Sequence, residues 1–155
     1  MTLIQDEKAL VNKFRENLEL YFDSITRGEE FKKSSSKKEI LWVDDRPENN
    51  VYERNILEKY GLTFSLALST QQALHYMKHN KFALIISDMG RKEGIREGYV
   101  LLEEIRKMDK EIPFIIYAGS KKKEHVDEAL RRGAQGCTNN PGELIDLVLK
   151  NLLKN

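Results

Sequence analysis

From Glu39 onward the chain alternates two textures. Short apolar runs, ILWV (40–43), FSLAL (64–68), FALIIS (82–87), FIIYA (114–118) and the weaker GCT (136–138), recur along it. Between them apolar residues take helical spacing, near 48–60, 70–79, 97–109 and 121–132, with a fifth stretch near 142–153. The middle runs are apolar at every position rather than at every second one. That is how parallel strands read when helices cover both faces of a sheet. Five such β/α units predict an α/β domain with a doubly wound five-stranded parallel sheet. Right-handed crossovers put helices on both sides of it. Punctuation agrees with these bounds. Pro47 and Asn49 sit where the first helix should begin, Gly61 follows its end, and Ser69-Thr70 is placed to cap the second. Gly133 ends the fourth helix, and Pro141 opens the fifth at a position where proline is tolerated.

The pattern upstream is different. Ile4, Val11, Leu18 and Ile25 recur every seven residues, Phe14 and Tyr21 fill intervening positions, and Glu7 breaks the seam once. Residues 1–27 therefore read as one amphipathic helix with a coiled-coil type stripe over 2–25. Its apolar face packs either on its own domain or on a second copy of the chain or another protein, and three heptads do not decide between them. Residues 28–38, rich in serine and lysine, read as a polar linker. The main domain then occupies 39–155.

Composition narrows the function classes. Hydrophobic residues make up 40% of the 155 and charged residues 33%, which is the balance of a globular domain with its own core. The formal net charge of +1 gives no reason to expect nucleic acid or a membrane surface as partner. A single cysteine excludes an internal disulfide and a cysteine-built zinc site, and fits a reducing cytoplasm. The charged N-terminus does not read as a signal peptide, and no apolar run reaches membrane-spanning length.

The candidate chemistry lies just past the strands. Asp44 and Asp45 follow the first run directly, and Asp88 follows the third. Ligands of open α/β sheets sit at the carboxyl ends of strands where strand order reverses, and in the flavodoxin-like order 2-1-3-4-5 these two strands are neighbours at that point. Three carboxylates meeting at one rim repel one another. A hard divalent cation removes that cost, and Mg2+, which prefers oxygen donors and keeps several waters, suits the set. A single aspartate after a strand is more often a turn or cap residue; the specificity lies in the pair plus the third. Other candidates are weaker. His75 and His79 share a helix face without an evident third ligand, His125 stands apart, Lys121–Lys123 reads as a solvated run, Trp42 reads as a core residue, and Tyr117 either packs or lies near the pocket.

ILWVDD, LIISDMG, PFIIYAG and GAQGCTNNP, in this order and spacing, resemble the receiver domain of two-component response regulators over about residues 38–153. The resemblance implies that Asp88 accepts a phosphoryl group from a sensor histidine kinase or a phosphotransfer protein. It implies Mg2+ held by Asp44, Asp45, Asp88 and the backbone carbonyl of Gly90, with Asp45 the more direct ligand of the pair. Output would pass to a downstream protein target through protein contacts, in the cytoplasm. The chain would not be an enzyme beyond self-catalysed phosphoryl transfer and dephosphorylation at Asp88.

Three positions depart from the family pattern. Ala118 stands where a Thr or Ser is usual, Asn140 where a lysine is usual, and Cys137 where an aromatic is usual. The loop MGRKEGIREG after Asp88 is about two residues longer than typical, and the glycine that opens the next helix falls at Gly98. Arg91, Lys92 and Arg96 in this loop are expected to be solvated; the minor alternative is that one of them replaces the missing lysine charge. The main reading is thus a phosphorylated receiver. The runner-up is a pseudo-receiver that interacts with proteins without regulated phosphorylation. A magnesium-dependent phosphohydrolase ranks last, because Arg46 and Pro47 follow Asp45 where a general acid would be needed.

Overall fold

The computed structural model describes residues 38–153. The heptad segment 1–27 and most of the expected linker lie outside the described residues. The parallel sheet is ordered β2-β1-β3-β4-β5, as expected. Its strands are β1 Lys38–Val43, β2 Leu62–Ala67, β3 Leu84–Ser87, β4 Phe114–Tyr117 and β5 Gly136–Thr138. The helices are α1 Val51–Glu58, α2 Thr70–His79, α3 Glu97–Met108, α4 Lys123–Arg131 and α5 Pro141–Leu153. β1 takes in Lys38, paired with Leu62, one residue into the expected linker.

Alternation along the fully buried strands sends side chains into two separate cores. Leu41, Val43, Ile85, Phe114 and Ile116 face α2, α3 and α4, against Ala73, Leu101, Leu102, Ile105 and Ala129. Ile40, Trp42, Leu84, Ile86 and Ile115 face α1 and α5, against Leu57, Leu144, Val148 and Leu152. Trp42 packs edge-on to Tyr117 at 6.2 Å between ring centroids, as the core residue its position suggested. Ile40, Leu41, Ile85 and Ile86 have no exposed surface, so each face supplies the burial that drives this arrangement.

Local signals act as read. Ser69 Oγ accepts the N–H of Gln72 at 3.1 Å and caps α2. Gly61 and Gly133 take φ of 86° and 102°, a region open to glycine. The first helix differs from expectation, because Pro47–Asn50 form a 3-10 turn before α1 begins at Val51. Arg54 explains the tightening: it reaches back to the carbonyl of Pro47 at 2.8 Å and to Asn50 Oδ1 at 2.5 Å.

Candidate functional site

β1 and β3 are adjacent, with Val43 opposite Ser87, so both strands end at one level. The ladder continues past their ends. Asp44 N–H donates to the carbonyl of Ala67 at 2.9 Å, and Asp88 N–H donates to that of Val43 at 3.0 Å. These bonds pin both aspartates by their backbones. One carboxylate oxygen from each of Asp44, Asp45 and Asp88 lies within 4.8 Å of the others. The expected triad is therefore assembled, in an open cleft also lined by Gly90, Ala118 and Asn139.

Each carboxylate is held by a donor. Asp44 accepts from Arg46 N–H at 2.8 Å and from the amide of Asn50 at 3.3 Å. Asp45 accepts from Lys92 N–H at 2.9 Å, which ties the long β3–α3 loop across the cleft. Asp88 accepts from Arg91 Nη1 at 2.6 Å. An ionised carboxylate has about four lone-pair sites, so these bonds leave acceptor capacity on all three for a cation. Asp88 is only 9% exposed. Burial pushes its carboxyl up; Arg91 opposes this, the neighbouring Asp44 adds to it, and the balance lies at about 7.

Arg91 overturns the expectation of a solvated loop. Its side chain is fully buried, whereas Lys92 is exposed and Arg96 reaches outward to pair with Glu128 at 2.7 Å. The loop makes a tight reversal at Lys92-Glu93, closed by reciprocal bonds between Arg91 and Gly94 at 2.9 and 3.0 Å. That reversal turns the guanidinium inward.

The response regulator receiver domain family matches residues 40–150. The chain belongs to this family. Among its curated relatives is the transcriptional regulatory protein ZraR of Escherichia coli, 31% identical over 96 residues, which are 62% of this chain. The match spans about a fifth (21%) of that protein's length. A 14.6 kDa protein from the sodA1 3' region of Leptolyngbya boryana is 26% identical over 115 residues, covering 73% of this chain and 86% of that protein. Among solved structures, a CheY-like receiver domain protein from Methanospirillum hungatei superposes with a TM-score of 0.66 at 26% identity, over 77% of this chain and 96% of that one.

The three departures sit in this receiver as follows. Ala118 lines the cleft and offers no hydroxyl; its N–H continues the β4–β5 ladder to Thr138 at 3.1 Å. Asn140 is used as a cap, its Oδ1 accepting Glu143 N–H at 3.0 Å at the start of α5. Asn139, rather than Asn140, lines the cleft. Cys137 is 8% exposed in the core, and burial pushes its thiol up.

Two participants were missed from sequence. Asn50, 2% exposed, holds Asp44. Glu53, 6% exposed, accepts the phenol of Tyr117, whose pKa is raised by burial and then by this carboxylate. A signal for Glu53 did exist, since it lies one helical turn from fully buried Leu57 and so on the inward face of α1.

Proposed function

We propose that this receiver accepts a phosphoryl group on Asp88, with Mg2+ held by Asp44, Asp45, Asp88 and the carbonyl of Gly90. The convergence of the three carboxylates within 4.8 Å carries the reading. The donor set fits the ion, since it is all oxygen, anionic and open to water. Mg2+, when bound, would offset the negative charge on the equatorial oxygens during a loose, in-line transfer.

The chain's own groups do the rest. Arg91 engages Asp88 Oδ1, which leaves Oδ2 as the nucleophile. That oxygen attacks phosphorus as the bond to the donor's imidazole nitrogen breaks, and the imidazole leaves with the bonding electrons and takes up a proton. The product is an acyl phosphate on Asp88. Attack needs the anionic form of Asp88, which Arg91 favours and a bound cation would favour further, so no separate base is required. The donor would be a sensor histidine kinase or a phosphotransfer protein in the cytoplasm, and output would run through contacts with a downstream protein. Beyond its own phosphorylation and dephosphorylation the chain would turn over no substrate.

The test is intact mass of the full chain after incubation with Mg2+ and acetyl phosphate. One added phosphoryl group in the wild type, absent from Asp88→Asn, is the expected result. A wild-type mass that never changes would overturn the reading in favour of an interaction module without phosphorylation.

A further inference from the structure

Arg91 is matched at every donor. Its Nε donates to Glu93 at 3.1 Å, Nη1 to Asp88 at 2.6 Å and to Ser87 Oγ at 3.3 Å, and Nη2 to Thr70 Oγ1 and to the carbonyl of Glu97 at 3.3 Å. A guanidinium with no exposed surface costs a great deal to place unless such partners compensate it. Two of those partners, Asp88 and Glu93, are carboxylates, and the other three fix its plane. The cation is thus built in before any ligand arrives, and it belongs to the chain segment that carries Asp88.

We infer that Arg91 is the anion-binding residue of this site: its fixed guanidinium holds Asp88 Oδ1 in the unmodified chain and takes the phosphoryl oxygens once Asp88 is esterified. It supplies from the β3–α3 loop the positive charge that the capping residue Asn140 does not. With Nε held by Glu93 and Nη2 by Thr70 and Glu97, Nη1 is the donor that turns to the phosphoryl oxygens, in a charge-assisted bond of fixed direction. Thr70 and Glu97 keep the fork in place while Asp88 changes, so little ordering remains to be done when the anion forms. This inference rests on the reading of Asp88 as phosphoacceptor, and the experiment separates the two.

The full chain is compared as wild type, Arg91→Gln, Arg91→Lys and the double variant Arg91→Gln/Asn140→Lys. Mg2+ affinity alone is measured by calorimetry. Beryllofluoride adduct formation at saturating Mg2+ is followed by fluorine NMR. Removing the cation should tighten Mg2+ about fivefold, the size of a partly screened single-charge interaction across about 5 Å. It should weaken the adduct by about tenfold or more, as loss of a charge-assisted bond does. Asn140→Lys should restore part of the adduct.

These opposite signs distinguish the proposal from a role in folding, which would weaken both affinities and show no rescue. An adduct strengthened by Arg91→Gln would mean that Arg91 blocks the site, and overturns the inference. So does a wild-type adduct that Arg91→Gln leaves unchanged. No adduct on the wild type is instead failure of the phosphoacceptor reading, and takes the anion role with it. If Arg91→Gln does not fold, Arg91→Lys carries the test. With its charge kept, Mg2+ affinity should hold while the adduct weakens, because a lysine lacks the side bonds to Thr70, Glu93 and Glu97 that aim Nη1; equal loss of both overturns the proposal.

Discussion

Gly98→Ala should distort the site from a position that never touches a ligand. Gly98 lies in the first turn of α3, where that helix crosses the end of β3. A Cβ built there would stand 2.5 Å from the carbonyl oxygen of Asp88, 3.0 Å from Met89 Cα and 3.3 Å from Met89 Sδ. The first two atoms are backbone, so no rotamer change relieves the contact. Either α3 moves outward by a sizeable fraction of an ångström or the Asp88 peptide does. Two bonds resist: Gly98 N–H donates to Met89 O at 2.8 Å, and Ser87 Oγ donates to Asp88 O at 2.8 Å. Overpacking costs about 1–3 kcal/mol, and backbone-on-backbone contact argues for the upper part of that range. The better helix propensity of alanine offsets up to about 1 kcal/mol. A net loss of about 2 kcal/mol follows, which at about 4 °C per kcal/mol lowers Tm by about 8 °C. Urea and thermal unfolding measure it, with Gly119→Ala as control, because nothing lies within 4 Å of a Cβ at that residue. Mg2+ affinity should fall in Gly98→Ala and hold in the control. Equal stability of the two variants would refute the steric reasoning.

Two further outcomes follow from single contacts. Ser69→Ala removes the cap on Gln72 N–H and should lower stability in urea by about 1 kcal/mol; no change in midpoint would show that water serves the α2 terminus equally well. Without metal, Asp88 sits at about 7 in the folded chain, against about 3.9 unfolded. The folded state therefore holds more protons, and this group's stabilisation, full below about 4, is lost as pH rises through about 7. The urea midpoint of metal-free wild type should carry that downward slope and Asp88→Asn should lack it; identical pH profiles would contradict it.

Much of this architecture was readable because burial writes itself into periodicity. ILWV and the LII that opens β3 are apolar at each position because both faces are covered, and the aspartates that follow these strands are placed by strand order alone. The expected third run began at Phe82, but β3 starts at Leu84, where pairing with Ile40 begins; Phe82 packs against the core from outside the ladder. Arg91 was not readable. It sits in a loop, where no period constrains its direction, and its charge argues for solvent. Only the folded chain brings Thr70 of α2, distant in sequence, beside it. Asn140 shows the reverse case, a residue assigned to the site from its proline neighbour yet used to cap α5.

A contact transmits a signal only if it differs between the two states it joins. Among the described residues, two polar routes leave the Asp88 carboxyl. One runs through Arg91 to Thr70 on α2 and the Glu97 carbonyl at the start of α3. The other runs through Asp44 and Asn50 to Arg54 on α1. Toward β4 the cleft presents Ala118, which can pack but cannot follow a phosphoryl oxygen, and Asn140 at the β5 end is committed to Glu143 N–H. Esterifying Asp88, as proposed, would alter the charge that Arg91 and Asp44 face, whereas the bonds of Ala118 N–H and Asn140 Oδ1 go to Thr138 and Glu143 and not to Asp88. On the proposed phosphorylation of Asp88, the elements linked to its carboxyl by polar contacts, and so placed to respond, would be α1, α2 and α3 rather than the β4–β5 edge.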